Sequence, residues 1–310
     1  MVLLMLFSIS SCNKPVSDKF MLKANIENQT LIQLDNNSLK EKIINEESFV
    51  LVILLNGCSS CLSFKENVVN PFINETKSTL YSIDSLLLDQ SEQYENKPTY
   101  KVAPSILIYK KGKLENIKAY KSDDKTFSDL DSFKEYLYTY TIQPKMIELS
   151  EQFTDSKIAN NDSFILYVGW YRCGDCISLN DEVITSYLKE KDITIYYLES
   201  DKYRSVKPLE EPILSTNPTD EEIIAKQNWD NWINFTSKYG FNTYRNGRVP
   251  SLIYFENGIA KEFIVYRNDV IVENVVVDSY YSELIGTNKS SEELTQYHNQ
   301  KVIEFLNKYC

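Results

Sequence analysis

The chain has 310 residues, 43% of them hydrophobic and 25% charged, which suits two globular domains better than a single core. Its net charge of −11 argues against nucleic acid or an anionic membrane surface as the main partner. The single histidine, His298, falls in a polar, helix-like C-terminal stretch where a surface position is expected, so no Cys–His or Ser–His–Asp catalyst is expected.

In chain order, residues 1–12 (MVLLMLFSISSC) form a short apolar run that ends in small residues and a cysteine. The run is too short to span a bilayer, which takes roughly 20 apolar residues, and it has the small-residue end of a cleaved export signal. Residues 13–23 read as a polar tether. A strand is expected at 30–34 and a helix at 38–45. Residues 49–55 (FVLVILL) are the continuous apolar run of a central strand buried on both faces. A helix should begin around Cys58–Cys61 and run to about Asn70, where Pro71 stops or kinks it. Residues 80–84 read as a parallel neighbour, and Pro104 opens a strand that turns at Lys111-Gly112. A second hairpin strand (115–120) and an amphipathic helix (127–140) complete the order βαβαββα, a mixed α/β pattern.

The pattern then starts again. Residues 31–61 align without a gap to residues 146–176, with ten of 31 positions identical. Cys58 maps to Cys173 and Cys61 to Cys176, both at an offset of 115 (173 − 58). A linker is expected at 141–145, marked by Pro144. In the second copy strands are expected at 164–169 and 193–198, and residues 248–258 match the earlier proline segment. Pro104 and Pro250 lie 146 apart (250 − 104), so the second copy carries 31 extra residues (146 − 115), including a proline-bearing loop and a Trp-rich helix to about Tyr239. Trp229 and Trp232 are expected to pack that helix, and an apolar segment (270–277) and a C-terminal helix (292–308) follow.

Of six cysteines, four form the two Cys-x-x-Cys pairs, Cys12 ends the apolar leader, and Cys310, the last residue, is expected as an exposed, incidental thiol. A sulfur at a helix start meets unpaired N–H groups and the positive end of the helix dipole, which favour the thiolate. A second sulfur one turn later faces the first and can displace a mixed disulfide. A four-cysteine zinc site is not expected, because each pair belongs to its own repeat.

A strand ending in Cys-x-x-Cys at a helix start, then a proline opening the next-but-one strand before a Gly-containing hairpin, resembles the thioredoxin family. The resemblance covers nearly all of the chain beyond the leader, twice. It implies an α/β fold of two tandem thioredoxin-like domains, each a central mixed sheet flanked by helices: residues 24–143 with Cys58 and Cys61, and residues 144–310 with Cys173 and Cys176 and an insertion at about 202–240. By resemblance, Cys58 and Cys173 are nucleophiles and Cys61 and Cys176 resolve. Pro104 and Pro250 would be cis and packed on the sulfurs, and the backbone of Ala103 and Val249 would pair with an extended substrate. Trp170 and Tyr171 would offer a stacking surface, Arg172 would favour the Cys173 thiolate and Asp175 oppose it. One departure stands out: six residues before each first cysteine the chain has Val52 and Tyr167, where thioredoxins carry a buried acid, so Glu199 or Asp201 is a candidate substitute.

Ile9-Ser10-Ser11-Cys12 also resembles the lipobox of bacterial lipoproteins, which implies cleavage before Cys12 and a lipid on its thiol; no Lys or Arg precedes it, a departure from that pattern. The second copy, with its insert, further resembles thioredoxin-like accessory proteins of bacteriocin systems, which implies a dedicated client. The expectation is a membrane-tethered, extracytoplasmic thiol–disulfide oxidoreductase that needs no cofactor or metal and meets exported protein substrates and a redox partner protein. The alternative is a non-catalytic surface lipoprotein whose domains bind a partner and whose disulfides are staples.

Overall fold

A computed structural model describes residues 18–88 and 93–310. The expected leader, Cys12 and the first part of the tether lie outside the described residues. The chain divides into two compact units, Met1–Pro144 and Lys145–Cys310, each with a mixed sheet and flanking helices. Among the described residues no helix is long and apolar enough to cross a membrane.

The first unit runs β1 (Phe20–Met21), β2 (Ala24–Asn25), β3 (Ile32–Gln33), α1 (Asn36–Ile44), β4 (Phe49–Leu54), α2 (Ser59–Phe64), α3 (Asn70–Thr76), β5 (Tyr81–Asp84), β6 (Ser105–Lys110), β7 (Lys113–Ala119), α4 (Leu130–Tyr140) and β8 (Thr141–Ile142). Its main sheet has the order β3-β5-β4-β6-β7, with β3, β5 and β4 parallel and β6 and β7 antiparallel. The apolar run of β4 feeds two cores: Val50 and Val52 point to one face, and Phe49, Leu51 and Ile53 to the other. Asp35 and Asp129 accept from Ser38 N and Ser132 N at 2.8 Å and so cap α1 and α4. The first residues of the expected linker are a strand, because β8 pairs in parallel with β1.

Pro71 does not end its helix. Between α2 and α3 lies a wide turn, Lys65–Val69, in which the N–H of Asn70 reaches back to the carbonyl of Lys65. Pro71 therefore sits in the first turn of α3, where a missing N–H costs little. The second unit has the same wide turn at Asn180–Ile184 without any proline, so the proline is tolerated there but is not the cause.

The second unit runs β9 (Met146–Leu149), α5 (Glu151–Ala159), β10 (Phe164–Gly169), α6 (Gly174–Leu179), α7 (Thr185–Glu190), β11 (Ile195–Glu199), α8 (Asp201–Arg204), α9 (Asp220–Lys238), β12 (Ser251–Glu256), β13 (Ile259–Val265), β14 (Val270–Val272), β15 (Val275–Asp278) and α10 (Ser291–Tyr309). Strands β9, β11, β10, β12 and β13 neighbour one another in that order, the sequence of pairings seen in the first unit. Helix α9 starts at a capping box of Thr219 and Glu222 and drives Trp232 and Phe235 into the core beneath β10. Each main hairpin turns on a glycine with no room for a side chain. A Cβ on Gly112 (φ +70) would meet Ile43 O at 2.3 Å, and one on Gly258 (φ +73) would meet Ile158 O at 2.2 Å.

His298 is not a surface residue. It is 1% exposed, and its Nε2 lies 2.6 Å from Asp269 Oδ2. Helix α10 buries Leu294, His298 and Val302, a stripe at four-residue spacing, so the imidazole faces inward and Asp269 supplies its polar partner.

Candidate functional site: two dithiol centres

β4 and β10 occupy the middle of their sheets, and from each the chain makes a tight turn. Cys58 N bonds Leu55 O at 3.2 Å, and Cys173 N bonds Trp170 O at 2.9 Å. Each turn delivers the first cysteine to a helix N-cap, Cys58 before α2 and Cys173 before α6. In the first centre Cys61 N donates to Cys58 Sγ at 3.2 Å, with the Ser60 hydroxyl also 3.2 Å from that sulfur. One turn on, Cys61 and Cys176 are each 3% exposed. All four are free thiols.

The proline loops close over the outer sulfurs. The Ala103–Pro104 and Val249–Pro250 peptides are both cis. Cys58 Sγ lies 3.9 Å from Ala103 O, and Cys173 Sγ lies 3.8 Å from Val249 O. The serine after each proline holds its loop: Ser105 Oγ donates to Val102 O at 2.5 Å and Ser251 Oγ to Arg248 O at 2.6 Å. Ala103 and Val249 stay half-buried while both prolines are buried, which leaves a backbone edge beside each outer thiol. Each unit thus brings its expected cysteine pair and proline segment together.

The electrostatics divide each pair. For Cys58, burial opposes ionisation, yet hydrogen bonds from Cys61 and Ser60 prevail and hold the thiol below its ordinary value. Burial, with the neighbouring Cys58, pushes Cys61 up to about 12. Cys173 is pulled further, to about 7, first by the hydrogen bond from Cys176, against burial and Asp175. Cys176 moves far upward because that bond to Cys173 favours its protonated form and burial adds to it.

The flanking residues differ from expectation in part. Trp170 N lies 3.4 Å from Cys176 Sγ, and its indole Nε1 donates to Asp201 Oδ1 at 2.8 Å. Tyr171 is 55% exposed, and Arg172 folds back onto it, with the guanidinium 4.9 Å from the ring centre and Nε donating to the phenol. Arg172 is therefore held by its neighbour and forms no hydrogen bond to the Cys173 thiol. Glu199 accepts from Tyr197 OH (2.6 Å), Tyr171 N (3.2 Å), Ser200 N (2.8 Å) and Asp201 N (2.9 Å), so it anchors the turn before Cys173 and makes no hydrogen bond to Cys176. At the position of the missing acid, the buried phenol of Tyr167 donates to Cys176 O at 3.2 Å.

Beside the first pair lies a cavity of about 410 Å³ whose wall includes Cys58, Cys61, Lys65, Ser82 and Asp84. Sequence reasoning missed that Tyr167, Tyr197 and Glu199 form the corresponding wall in the second unit, although the 115 offset already pairs them with Val52, Ser82 and Asp84. Arg204, Lys207 and Arg248 were also missed. Arg248 stands 146 after Val102, a place where one copy is charged and the other is not.

No family model and no curated protein matches the chain. Among solved structures it is similar to a designed protein (17% identity, 36% of this chain and 95% of that chain, TM-score 0.27). It is also similar to thioredoxin f from spinach chloroplast (12% identity, 35% of this chain and 91% of that chain, TM-score 0.26). A third similarity is to human ERp44 (11% identity, 58% of this chain and 44% of that chain, TM-score 0.31), of whose length the chain spans less than half. Each of these TM-scores is below 0.5.

Proposed function

We propose that the chain is a membrane-tethered, extracytoplasmic thiol–disulfide oxidoreductase made of two tandem thioredoxin-like domains. The observation that carries the reading is the same in both units. A half-exposed outer thiol of lowered pKa faces the carbonyl before a cis-proline, with a buried thiol of raised pKa one helical turn behind it.

In the reducing direction the Cys173 thiolate attacks a substrate disulfide, forming a mixed disulfide and expelling the other substrate sulfur as thiolate. Cys176 then loses its proton and attacks Cys173 Sγ. The S–S bond to the substrate breaks, the substrate leaves as a second thiolate, and the Cys173–Cys176 pair is oxidised. Run backwards, the same steps oxidise a client, and Cys58 and Cys61 perform the equivalent steps. The high pKa of the inner sulfurs delays ring closure until the mixed disulfide has formed. The backbone edges at Ala103 and Val249 hold an extended substrate segment by strand addition, and Trp170 and Tyr171 border the second edge. Exported proteins are the substrates and a redox partner protein completes the cycle. A lipid on Cys12 anchors the chain, and a dedicated client of the second domain fits its inserted stretch.

The test is a Cys176→Ser chain, which should accumulate mixed disulfides through Cys173. No trapped partner, together with no exchange on a model disulfide, would favour a binding module with structural staples. The potentials separate the two readings as well: catalytic pairs lie between about −270 and −120 mV, staples below about −300 mV. For the anchor, metabolic labelling with palmitate should mark the wild type and not a Cys12→Ala chain; equal labelling removes the anchor.

A further inference from the structure

Around the second centre three cations gather in a chain whose net charge is −11. Arg204, at the end of α8, lays its guanidinium 5.3 Å from the centre of the Trp170 ring, and the backbone N–H of that same residue lies 3.4 Å from the Cys176 sulfur. Lys207 lies 4.4 Å from the centre of the Trp229 ring and donates to the carbonyl of Pro208 at 2.9 Å. Arg248 directly precedes Val249, whose carbonyl faces Cys173, and its Nε is buried with no hydrogen-bond partner. Among the described residues none of the three forms an ion pair, whereas neighbouring Arg245 pairs with Asp278.

The three also feel one another. Burial, then Arg204 and Arg248, brings the Lys207 ammonium down to about 8, and burial, then Arg245 and Arg204, lowers Arg248. Asp201, bonded to the Trp170 indole, is a carboxylate beside Arg204 but forms no ion pair with it, and like charges held together without ion pairs favour an anion brought from outside. An extended substrate lying along the Val249 edge has Arg248 beside it and Arg204 on the Trp170 side. The first centre differs at the matching positions: Arg248 corresponds to Val102 (248 − 146) and Trp170 to Leu55 (170 − 115), and the cation beside its thiols is Lys65.

We propose that this rim selects substrates in which the reacting cysteine is flanked by an acidic stretch of polypeptide, held by Arg204, Lys207 and Arg248. The inference rests on the thiol-exchange reading, because the partner must bring a sulfur to Cys173. An acidic polypeptide meets that requirement, whereas a nucleic acid has no disulfide to offer.

The experiment uses the full chain with Cys176→Ser and three cysteine peptides activated as 2-thiopyridyl disulfides, with Asp-rich, Ser-rich or Lys-rich flanks. Cys173 attacks the peptide sulfur, pyridine-2-thione leaves with the bonding electrons, and mass spectrometry maps the adduct. At low salt the Asp-rich peptide should react roughly tenfold faster than the Lys-rich one. The gap should close at about 1 M salt, where the Debye length is about 3 Å. The negative charge of the whole chain favours the opposite order, so the sign alone is diagnostic. Arg204→Glu with Arg248→Glu should invert the preference; the salt series needs no change at the rim and stands even if those variants misfold. Equal rates, a faster Lys-rich peptide, or a preference indifferent to salt would overturn the acidic-substrate inference. If the Ser-rich peptide still reacts in those cases, the exchange reading survives alone. No Cys173 adduct with any peptide would overturn both.

Discussion

Beside Cys61 the first unit leaves a cavity of about 410 Å³, with Ser82 and Asp84 in its wall. At the matching place beside Cys176 the second unit carries Tyr167 and Tyr197, with ring centres 5.2 Å apart, and Glu199 bonded to Tyr197. The backbone is common to both centres; the side chains behind the inner sulfur are not. Two bulky phenols fill one site: that of Tyr167 bonds the backbone carbonyl of the inner cysteine, and that of Tyr197 bonds Glu199. The outer thiol changes in step, Cys173 reaching about 7 while Cys58 shows a smaller lowering. The larger lowering at Cys173 comes first from the hydrogen bond of Cys176, against burial.

The sharpest way to break this comparison is to remove each nucleophile in turn. Cys173→Ser should cut turnover of an acidic peptide disulfide by about a hundredfold or more, and Cys58→Ser should leave most of it, measured as steady-state exchange. A larger loss from Cys58→Ser would reverse the ranking of the centres.

Exchanging side chains between the two walls comes next. Tyr167→Val, the residue of the first unit, empties a fully buried site and should cost about 2–4 kcal/mol in denaturant unfolding. Ser82→Tyr points into the open cavity of the first unit and should shift stability by less than about 1.5 kcal/mol. If both cost the same, the cavity and the phenols are not counterparts.

The pH profile sharpens the comparison further. Only the thiolate reacts, so alkylation of Cys173 should rise with pH through a midpoint near 7 and level off above it. Below the midpoint the rate should fall about tenfold per pH unit. At pH 7 the gain over a free cysteine should be about threefold, since the larger thiolate fraction is partly offset by lower intrinsic nucleophilicity. Cys58 should titrate between Cys173 and a free thiol, and a Cys58 midpoint below that of Cys173 would contradict the ranking.

The smallest effect is expected from Glu199→Gln. It loosens the turn before Cys173 at a cost of about 1 kcal/mol. Release of substrate by Cys176 should change less than about twofold, since Glu199 makes no hydrogen bond to that sulfur. A tenfold slower release would make Glu199 the proton acceptor after all.

Much of the fold was legible in the residues because its signals are local. FVLVIL ahead of Cys58 and FILYVG ahead of Cys173 are continuous apolar strands. Pro144 marked the boundary at which the two units part. The cysteines and prolines of the candidate sites were legible through repetition. What escaped depends on distant partners. His298 looked polar and exposed until Asp269, 29 residues away, turned out to share its buried site. Arg172 looked like a partner of Cys173 because it is adjacent in sequence, but its side chain stacks on Tyr171. Pro71 reads as a stop or kink because the wide turn before it has no composition of its own.

That wide turn has a consequence for how the two copies can diverge. It falls at Lys65–Val69 and again 115 residues later at Asn180–Ile184. A single inserted or deleted residue between the cysteines and this turn would rotate the rest of the helix by about 100° and turn its inward side chains outward. Change ahead of Asp84 and Glu199 is therefore confined to replacement, and the 31 extra residues (146 − 115) all enter after Glu199. For anyone building chimaeras, that strand end is the natural splice point: cut there, a dithiol half from one copy can be joined to the proline half of the other without disturbing helical phase.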